Sequence, residues 1–171
     1  MGALVHASDG TPAPMMLGGE QERGLRAGTI NVPGIVGFGV AAQAAADLSG
    51  TDAKVGLRDA AQARLTDAAG ITPFGAAAPR LPNTLCFGTE GFASDRQLMA
   101  LDLAGVMVSA GSACSSGKMK PSRVIAAMGY EDLAGCMLRV SGGWATTAAD
   151  WDCFTEVWLE AWERHRARRA A

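Results

Sequence analysis

The chain has 171 residues, 49% of them hydrophobic, which is enough for a packed core and excludes intrinsic disorder as the default state. Its 15 basic and 17 acidic residues give a formal net charge of −2, so the composition offers no reason to expect nucleic-acid binding. The length fits one domain, or one domain with a piece of another.

The first part of the chain is predicted to be a short strand, an irregular segment and a helix. Residues 2–6 are mostly apolar and favour a strand, whereas the glycines and prolines of residues 8–31 oppose regular structure. Apolar residues then recur at helical spacing, which predicts a helix over residues 32–48. Because the chain opens inside a strand, we expect it to resemble a piece cut from a larger protein.

A second helix is predicted after Gly50. Thr51 or Asp52 is expected to cap its start, and Gly70 is expected to end it. Leu57, Ala61 and Leu65 fall on one face of this helix, which is therefore the face expected in the core.

The rest of the chain alternates strands and helices, which predicts an α/β or α+β fold. Predicted strands lie at residues 71–75, 84–88, 106–109 and 136–141. Further helices are expected to begin at the capping residue Ser94, with Leu98, Leu101 and Ala104 inward, at Pro121, and at Thr147, which can form a capping box with Asp150. Four aromatic residues form one stripe along the last helix: Trp151, Phe154, Trp158 and Trp162.

Targeting signals and metal motifs are not evident. Residues 32–48 form the most apolar run, and glycines interrupt it, so no membrane span is expected. The N-terminus lacks the basic and apolar regions of a signal peptide, which predicts a reducing, cytoplasmic location. The cysteines have no C-x-x-C spacing, so no metal site is predicted, and three of them are expected to be buried structural residues: Cys86, Cys136 and Cys153.

The loop around Cys114 has a different character. It reads AGSACSSGKMK over residues 110–120, so small residues leave the thiol uncovered. Lys118 and Lys120 would favour the thiolate, which is the reactive form of cysteine. A structural cysteine in a tight turn is the alternative, and the polar glycine- and serine-rich setting favours a reactive thiol.

Two further features leave their alternatives open when taken alone. The glycine-rich segment 18–29, which ends in Thr29, could present backbone N–H groups and a hydroxyl to a phosphate, although a structured connector explains it better. Arg139 alternates with the apolar residues Leu138 and Val140 in a predicted strand. It could bind a substrate carboxylate, or equally well form a structural salt bridge.

Taken together, these motifs resemble a known family. The segments GGEQERGLRAGTINVPGIVGFGVAA, LPNT, LMALDLAGVMVSAGSACSSG, PSRVIAAMG and LRVSGGWATT stand in the order found in NifS/IscS-like cysteine desulfurases of the class V aminotransferase superfamily. The resemblance covers nearly the whole chain and concerns the C-terminal portion of those enzymes. It implies the small C-terminal α/β domain of a fold-type I transferase, with residues 1–31 as a large-domain remnant and connector, and residues 32–171 as the connecting helix and small domain.

The resemblance also implies a chemistry. Enzymes of this family use pyridoxal 5′-phosphate to take sulfur from L-cysteine as a cysteine persulfide, leaving L-alanine, and they pass the sulfur to acceptor proteins of iron–sulfur or thiolation pathways. On this match Cys114 is the nucleophile, Arg139 binds the substrate carboxylate, and Thr29 reaches the cofactor phosphate of the neighbouring subunit. The cofactor supplies the electron sink and the protein positions it.

The chain departs from the family pattern in several places. None of its three lysines, Lys54, Lys118 and Lys120, matches the lysine that forms the Schiff base. Glu20 stands at a family glycine, Trp144 at a family arginine, and the region 44–70 is shortened. The expected partners are therefore a complementary N-terminal half or a second copy, besides a sulfur acceptor. Two alternatives to an enzyme part remain: a non-catalytic sulfur carrier and an inactive fragment.

Overall fold

The computed structural model describes residues 2–7, 10, 12–47, 50–111 and 120–170. The chain divides into two compact units, Met1–Ser49 and Gly50–Ala171. The predicted domain boundary between residues 31 and 32 stays a prediction.

The first unit contains one α-helix. Residues 2–7 form no strand, and their side chains are exposed, so the strand prediction for residues 2–6 is wrong. The physical reason is that a strand needs a neighbour for its backbone groups, and none of the described segments pairs with these residues. Among the described residues of the following segment the turn-rich prediction is confirmed, and their one regular feature is a 3-10 turn at Gln21–Gly24.

Helix α1 spans Val32–Ala46, which confirms most of the helix predicted over residues 32–48; Asp47 is its C-cap, and Leu48 lies outside the described residues. The Asn31 side chain caps it, because Oδ1 accepts a hydrogen bond from the Gly34 N–H at 3.0 Å. No residue of α1 is buried. In the described part of the chain no single helix is long and apolar enough to cross a membrane. Only the helices Val32–Ala46 and Thr51–Ala69 counted together reach that length and composition.

The second unit is built on a three-stranded antiparallel sheet. Strands β1 (Thr72–Pro73), β2 (Thr84–Gly88) and β3 (Met137–Ser141) lie in the order β1-β2-β3. The predicted strands at residues 71–75, 84–88 and 136–141 are thus confirmed, although β1 is shorter. In the predicted strand 106–109 only Ser109 pairs, and its partner is Arg139.

Three long helices cover one face of this sheet. They are α2 (Thr51–Ala69), α3 (Ser94–Leu103) and α5 (Ala148–Ala170). The core contains apolar residues from the sheet and from all three helices: Ala61, Leu65, Ile71, Leu85, Phe87, Phe92, Leu101, Leu138, Val140, Trp151, Phe154, Trp158 and Ala161. The predicted faces of α2 and α5 therefore point inward, whereas the inward prediction for Ala104 is wrong because it is exposed after the last turn of α3.

A smaller cluster lies on the opposite face of the sheet. It consists of Phe74, Ile125, Ala134 and Met137, with Cys86 packed against it. The short helix α4 (Arg123–Ala127) and the 3-10 turn at Glu131–Leu133 contribute residues to this cluster. The sheet is therefore covered on both faces, heavily on one and lightly on the other.

Local sequence signals predicted the start of α5 correctly, whereas the starts of α2 and α4 differ from the prediction. The capping box at the start of α5 is confirmed, since the Thr147 N–H and hydroxyl both donate to Asp150 Oδ2, at 2.8 and 2.7 Å. These bonds lower the pKa of Asp150, the backbone bond first. In contrast, α2 already begins at Thr51 with Gly50 as its N-cap, so neither predicted side chain caps it. At α4, Ser122 is the cap and Pro121 precedes it.

Ser94 has a tertiary role in place of the predicted cap. It is the first residue of α3, and its hydroxyl donates to the Met137 carbonyl and accepts from the Met137 N–H, each at 2.8 Å. The hydroxyl is buried and joins α3 to the start of β3. The Ser94 hydroxyl therefore bonds to β3 and does not cap α3, as the local sequence had predicted it would.

Candidate functional site

Arg139 lies in the middle of β3, between two partners. It pairs in register with Cys86 of β2 on one side. On the other side its backbone forms two hydrogen bonds with Ser109: Ser109 N to Arg139 O at 3.0 Å and Arg139 N to Ser109 O at 2.7 Å. The pleat points Leu138 and Val140 into the main core, so Arg139 projects from the opposite face, as the alternation predicted.

The side chain of Arg139 is exposed. Among the described residues, no carboxylate lies within ion-pair distance of it, and its side chain forms no hydrogen bond. The structural salt bridge that the sequence left open is therefore not formed within the described chain. A free guanidinium on a rigid strand can bind a carboxylate in a bidentate manner.

The same strand also holds the start of the loop that contains Cys114. The Gly111 N–H lies 3.2 Å from Met137 Sδ, and Met137 is two residues before Arg139 on the same side of the strand. Together with the Ser109 pairing, this contact fixes residues 109–111 along β3. Cys114 itself, with the rest of residues 112–119, lies outside the described residues.

Sequence reasoning missed the part of Met137 and Ser109 in this arrangement. The period-two alternation of β3 could have placed Met137 beside Arg139 on one face. Nothing in the sequence indicated that β3 also pairs with Ser109. That contact joins positions 30 residues apart and depends on the tertiary fold.

The sequence predicted that the other three cysteines are buried, and the structure contradicts this for one of them. Cys86 and Cys136 are partly buried, but Cys153 is exposed on α5, so its prediction as a buried residue is wrong. The physical reason is the helical period, which turns position 153 outward between the buried Trp151 and Phe154. Burial raises the pKa of the Cys86 thiol, and the nearby positive charge of Arg139 lowers it to a smaller extent.

Thr29 lies in the first unit, with its side chain exposed. The Arg26 side chain donates to the carbonyls of Gly28 and Thr29, at 3.3 Å each, and so stabilises the backbone just before α1. Glu22 and Arg23 have positive φ angles of 52° and 58°. Left-handed conformations are rare and costly for side chains other than glycine, and they concentrate at functional sites.

Pyridoxal 5′-phosphate, the expected cofactor, needs a lysine for its aldehyde and donors for its phosphate. The described lysines are Lys54, half-buried on α2, and Lys120, which is exposed. Neither lysine lines the cavity beside Glu163 and Arg166 or the one beside Thr89 and Arg169, and neither do Thr29 and Arg139. The described residues therefore do not form a site that fits pyridoxal 5′-phosphate, although Thr29 is free to contact a phosphate held elsewhere.

Known proteins provide an independent comparison. The family model for aminotransferase class-V matches residues 15–154. A cysteine desulfurase from Cereibacter sphaeroides is 44% identical over 147 residues, which cover 84% of this chain and 38% of the relative. An IscS-like cysteine desulfurase from Mycobacterium tuberculosis is 40% identical over 176 residues, covering 100% of this chain and 44% of the relative. The chain thus spans about two fifths of the length of these relatives.

Solved structures agree with the sequence comparison. A NifS-like protein from Rickettsia africae superposes with a TM-score of 0.78 at 29% identity, covering 91% of this chain and 41% of the other. A second NifS-like protein gives a TM-score of 0.74 at 29% identity. The predicted fold class, an α/β part of a pyridoxal-phosphate-dependent transferase, is confirmed. The chain belongs to the aminotransferase class-V family, in which its relatives are cysteine desulfurases.

Proposed function

We propose that this chain is the part of a cysteine desulfurase that carries the sulfur-accepting thiol and the arginine for the substrate carboxylate. In this proposal Cys114 receives the sulfur and Arg139 binds L-cysteine. Relatives at 40–44% identity bear the name cysteine desulfurase, which supports the reaction class.

The observation that carries the proposal is the pairing of Arg139 with Ser109. Ser109 and Gly111 are held along β3, next to a free and exposed guanidinium. Cys114 follows Gly111 by three residues, and three residues span at most about 11 Å. Chain connectivity limits the distance between Gly111 and Cys114, and in this proposal the thiol reaches a small substrate whose carboxylate is bound by Arg139.

The proposed reaction balances without an external oxidant or reductant. L-cysteine and the Cys114 thiol give L-alanine and a Cys114 persulfide, as one sulfur atom moves from substrate to protein. Arg139 orients the substrate through its carboxylate, which favours transfer by fixing the distance between the reacting sulfurs. The cofactor provides the electron sink, and because the described residues do not fit it, we assign its binding to a complementary chain or segment.

We further propose a sulfur acceptor, a cellular location and a subunit partner for this chain. A persulfide on a tethered cysteine is a form that can pass sulfur to an acceptor protein, for iron–sulfur clusters or thiolation, in a reducing cytoplasm. Thr29 would contact the cofactor phosphate of a neighbouring subunit, so assembly with a second copy or an N-terminal half is part of the proposed active form.

A chimera tests the proposal. Residues 15–154 replace the matching segment of the Mycobacterium tuberculosis relative, which supplies the rest of the enzyme, and L-alanine release from L-cysteine is measured. We expect activity in the chimera, and its loss in Cys114→Ser. Arg139→Gln should raise KM about tenfold or more, since a charge-assisted carboxylate contact is lost, while Arg64→Gln on the outer surface of α2 should leave KM unchanged.

Other outcomes decide between the alternatives. A chimera that folds, binds the cofactor and releases no L-alanine contradicts the proposal. If its Cys114 nevertheless takes up persulfide from a separate desulfurase, the sulfur-carrier function is favoured. An equal KM in Arg139→Gln and Arg64→Gln would remove the assigned role of Arg139.

A further inference from the structure

A cavity of about 390 Å³ lies in the second unit, away from Arg139. It is formed where the C-terminal end of α2, the turn after β2 and the last turns of α5 meet. Its lining includes Gly70, Thr89, Glu90, Gly91, Trp162 and Arg169. The volume falls within the range of small-molecule sites in proteins.

Two residues of this lining each carry a covered polar atom that has no partner among the described residues. The two atoms are Thr89 Oγ1 and Trp162 Nε1, and both are buried from bulk solvent. The contrast with Trp158 is informative, because the Nε1–H of that tryptophan donates to Gln97 Oε1 at 2.9 Å. A buried polar group without a partner is destabilising, so each one calls for an explanation.

Two charged groups of the lining are also free within the described chain. Glu90 and Arg169 both line the cavity, yet neither forms an ion pair with the other or with another described residue. Arg169 is positioned over the backbone of Gly91, where a Cβ atom would collide with its guanidinium. His165 donates from Nε2 to the Gly91 carbonyl at 2.9 Å, which fixes this turn against α5.

We propose that this cavity binds a small α-amino acid as the zwitterion. The guanidinium of Arg169, the indole N–H of Trp162 and the Thr89 hydroxyl are donors for a carboxylate. The Glu90 carboxylate and the carbonyl end of α2 at Gly70 attract an ammonium group. One cationic donor, two neutral donors and an anionic acceptor around one cavity match a ligand that carries both charges.

Both atoms are covered in this structure, so binding requires the Thr89 and Trp162 side chains to change rotamer until Oγ1 and Nε1 face the ligand. Ordered water is the competing occupant, since it also satisfies buried polar atoms. The proposal depends on this cavity alone and is independent of the proposed desulfurase function.

The test uses the full chain labelled with ¹⁵N and follows the indole N–H resonances of its tryptophans. The resonance of Trp162 is assigned with Trp162→Phe. Three probes of similar size are titrated: L-alanine, propionate without the ammonium, and ethylamine without the carboxylate. We expect L-alanine to shift the Trp162 resonance in a saturable way at up to about 10 mM, and the other two probes to bind at least about fivefold more weakly.

Variants locate the binding. Arg169→Gln and Thr89→Val should each weaken the L-alanine effect about fivefold or more, whereas Arg168→Gln, an exposed neighbour outside the cavity lining, should not. Thr89→Val is nearly isosteric, so it separates loss of the hydroxyl from loss of the fold. A Trp162 resonance unmoved by L-alanine would overturn the proposal and leave water as the occupant. Equal effects of propionate and L-alanine would also overturn it, since a simple carboxylate site would then suffice.

Discussion

Cys86 and Arg139 lie directly opposite each other on β2 and β3, on the sheet face away from the main core. Directly paired residues on antiparallel strands have Cβ atoms about 5 Å apart. The half-buried thiol is therefore exposed to the field of a guanidinium that has no carboxylate partner among the described residues. This pairing couples the titration of a cysteine to the charge of the proposed substrate-binding arginine.

Arg139→Gln should raise the pKa of Cys86 above its value in the unchanged chain. Burial already raises this pKa, and the positive charge of Arg139 opposes the rise by stabilising the thiolate. Without that charge only the burial effect remains. The pH at which Cys86 alkylation becomes fast should therefore be higher in Arg139→Gln than in the unchanged chain. The measurement is the pH profile of iodoacetamide labelling at Cys86, read by peptide mapping.

Arg64→Gln is the matched control for this experiment, because Arg64 pairs with Glu156 on the outer side of the unit. A Cys86 profile that moves equally in both variants, or moves to lower pH in Arg139→Gln, would show that the coupling is absent.

The raised pKa of Cys86 also makes the stability of the fold depend on pH. The contribution of Cys86 to the free energy of unfolding is complete below its unfolded pKa and is lost as pH rises through the folded pKa.

The four cysteines should label at distinct rates in the native chain. Cys86 and Cys136 should be slow because they are partly buried, whereas Cys153 is exposed and should react at the rate of an ordinary surface thiol. We expect Cys114 to label faster than all three, since its sequence setting favours a thiolate.

Time-resolved labelling in the chain and in Cys153→Ser measures this order without interference from the exposed α5 thiol. Cys114→Ser should remove the fastest phase and leave the midpoint of unfolding nearly unchanged. If Cys86 or Cys136 labels before Cys114, or if Cys114→Ser unfolds the chain, then Cys114 has a structural role.

Gln97→Leu should destabilise the second unit by about 3 kcal/mol. The Gln97 side chain is 1% exposed, donates to the carbonyls of Phe92 and Cys136, and accepts from Trp158 Nε1. Its replacement removes the partner of the Phe92 carbonyl and of the Trp158 indole N–H, while the Cys136 carbonyl keeps its bond from the Thr89 N–H at 3.1 Å. Urea unfolding followed by tryptophan fluorescence measures the change.

Arg96→Gln provides the comparison, since Arg96 is the exposed neighbour of Gln97 on α3. Its effect should stay within about 0.5 kcal/mol. Equal stability of Gln97→Leu and Arg96→Gln would mean that the buried amide contributes no net stabilisation.

The 171-residue chain should self-associate or bind a complementary chain through α1. This helix is apolar around its circumference and has no buried residue, with Val36 and Val40 60% and 64% exposed. Such a surface marks an interaction site. The double variant Val36→Glu with Val40→Lys should shift sedimentation velocity toward the 17.6 kDa monomer.

Met99→Lys serves as the control, because Met99 is an exposed apolar residue on α3 in the other unit. It should leave the association unchanged. A monomeric, cooperatively melting unmodified chain would contradict the expectation for α1.

Local sequence patterns determined the helices and the two longer strands. The spacing of apolar residues set α1 and the inward faces of α2 and α5, because the periods of helix and strand are local properties of the backbone. The alternation around Arg139 likewise fixed its face before any tertiary contact was known. The motifs around Thr29, Cys114 and Arg139 indicated the family, because they contain the residue types of its site and occur in the same order along the chain.

Only the tertiary structure decided what those residues touch. The pairing of Ser109 with Arg139, the contact of Gly111 with Met137, and the buried bond from Ser94 to β3 join positions distant in sequence. Residues 2–7 have the composition of a strand and form none, because a strand is stable only where another segment satisfies its backbone. The cavity at Thr89 and Trp162 also depends on three separate elements meeting, so no pattern within one segment could predict it.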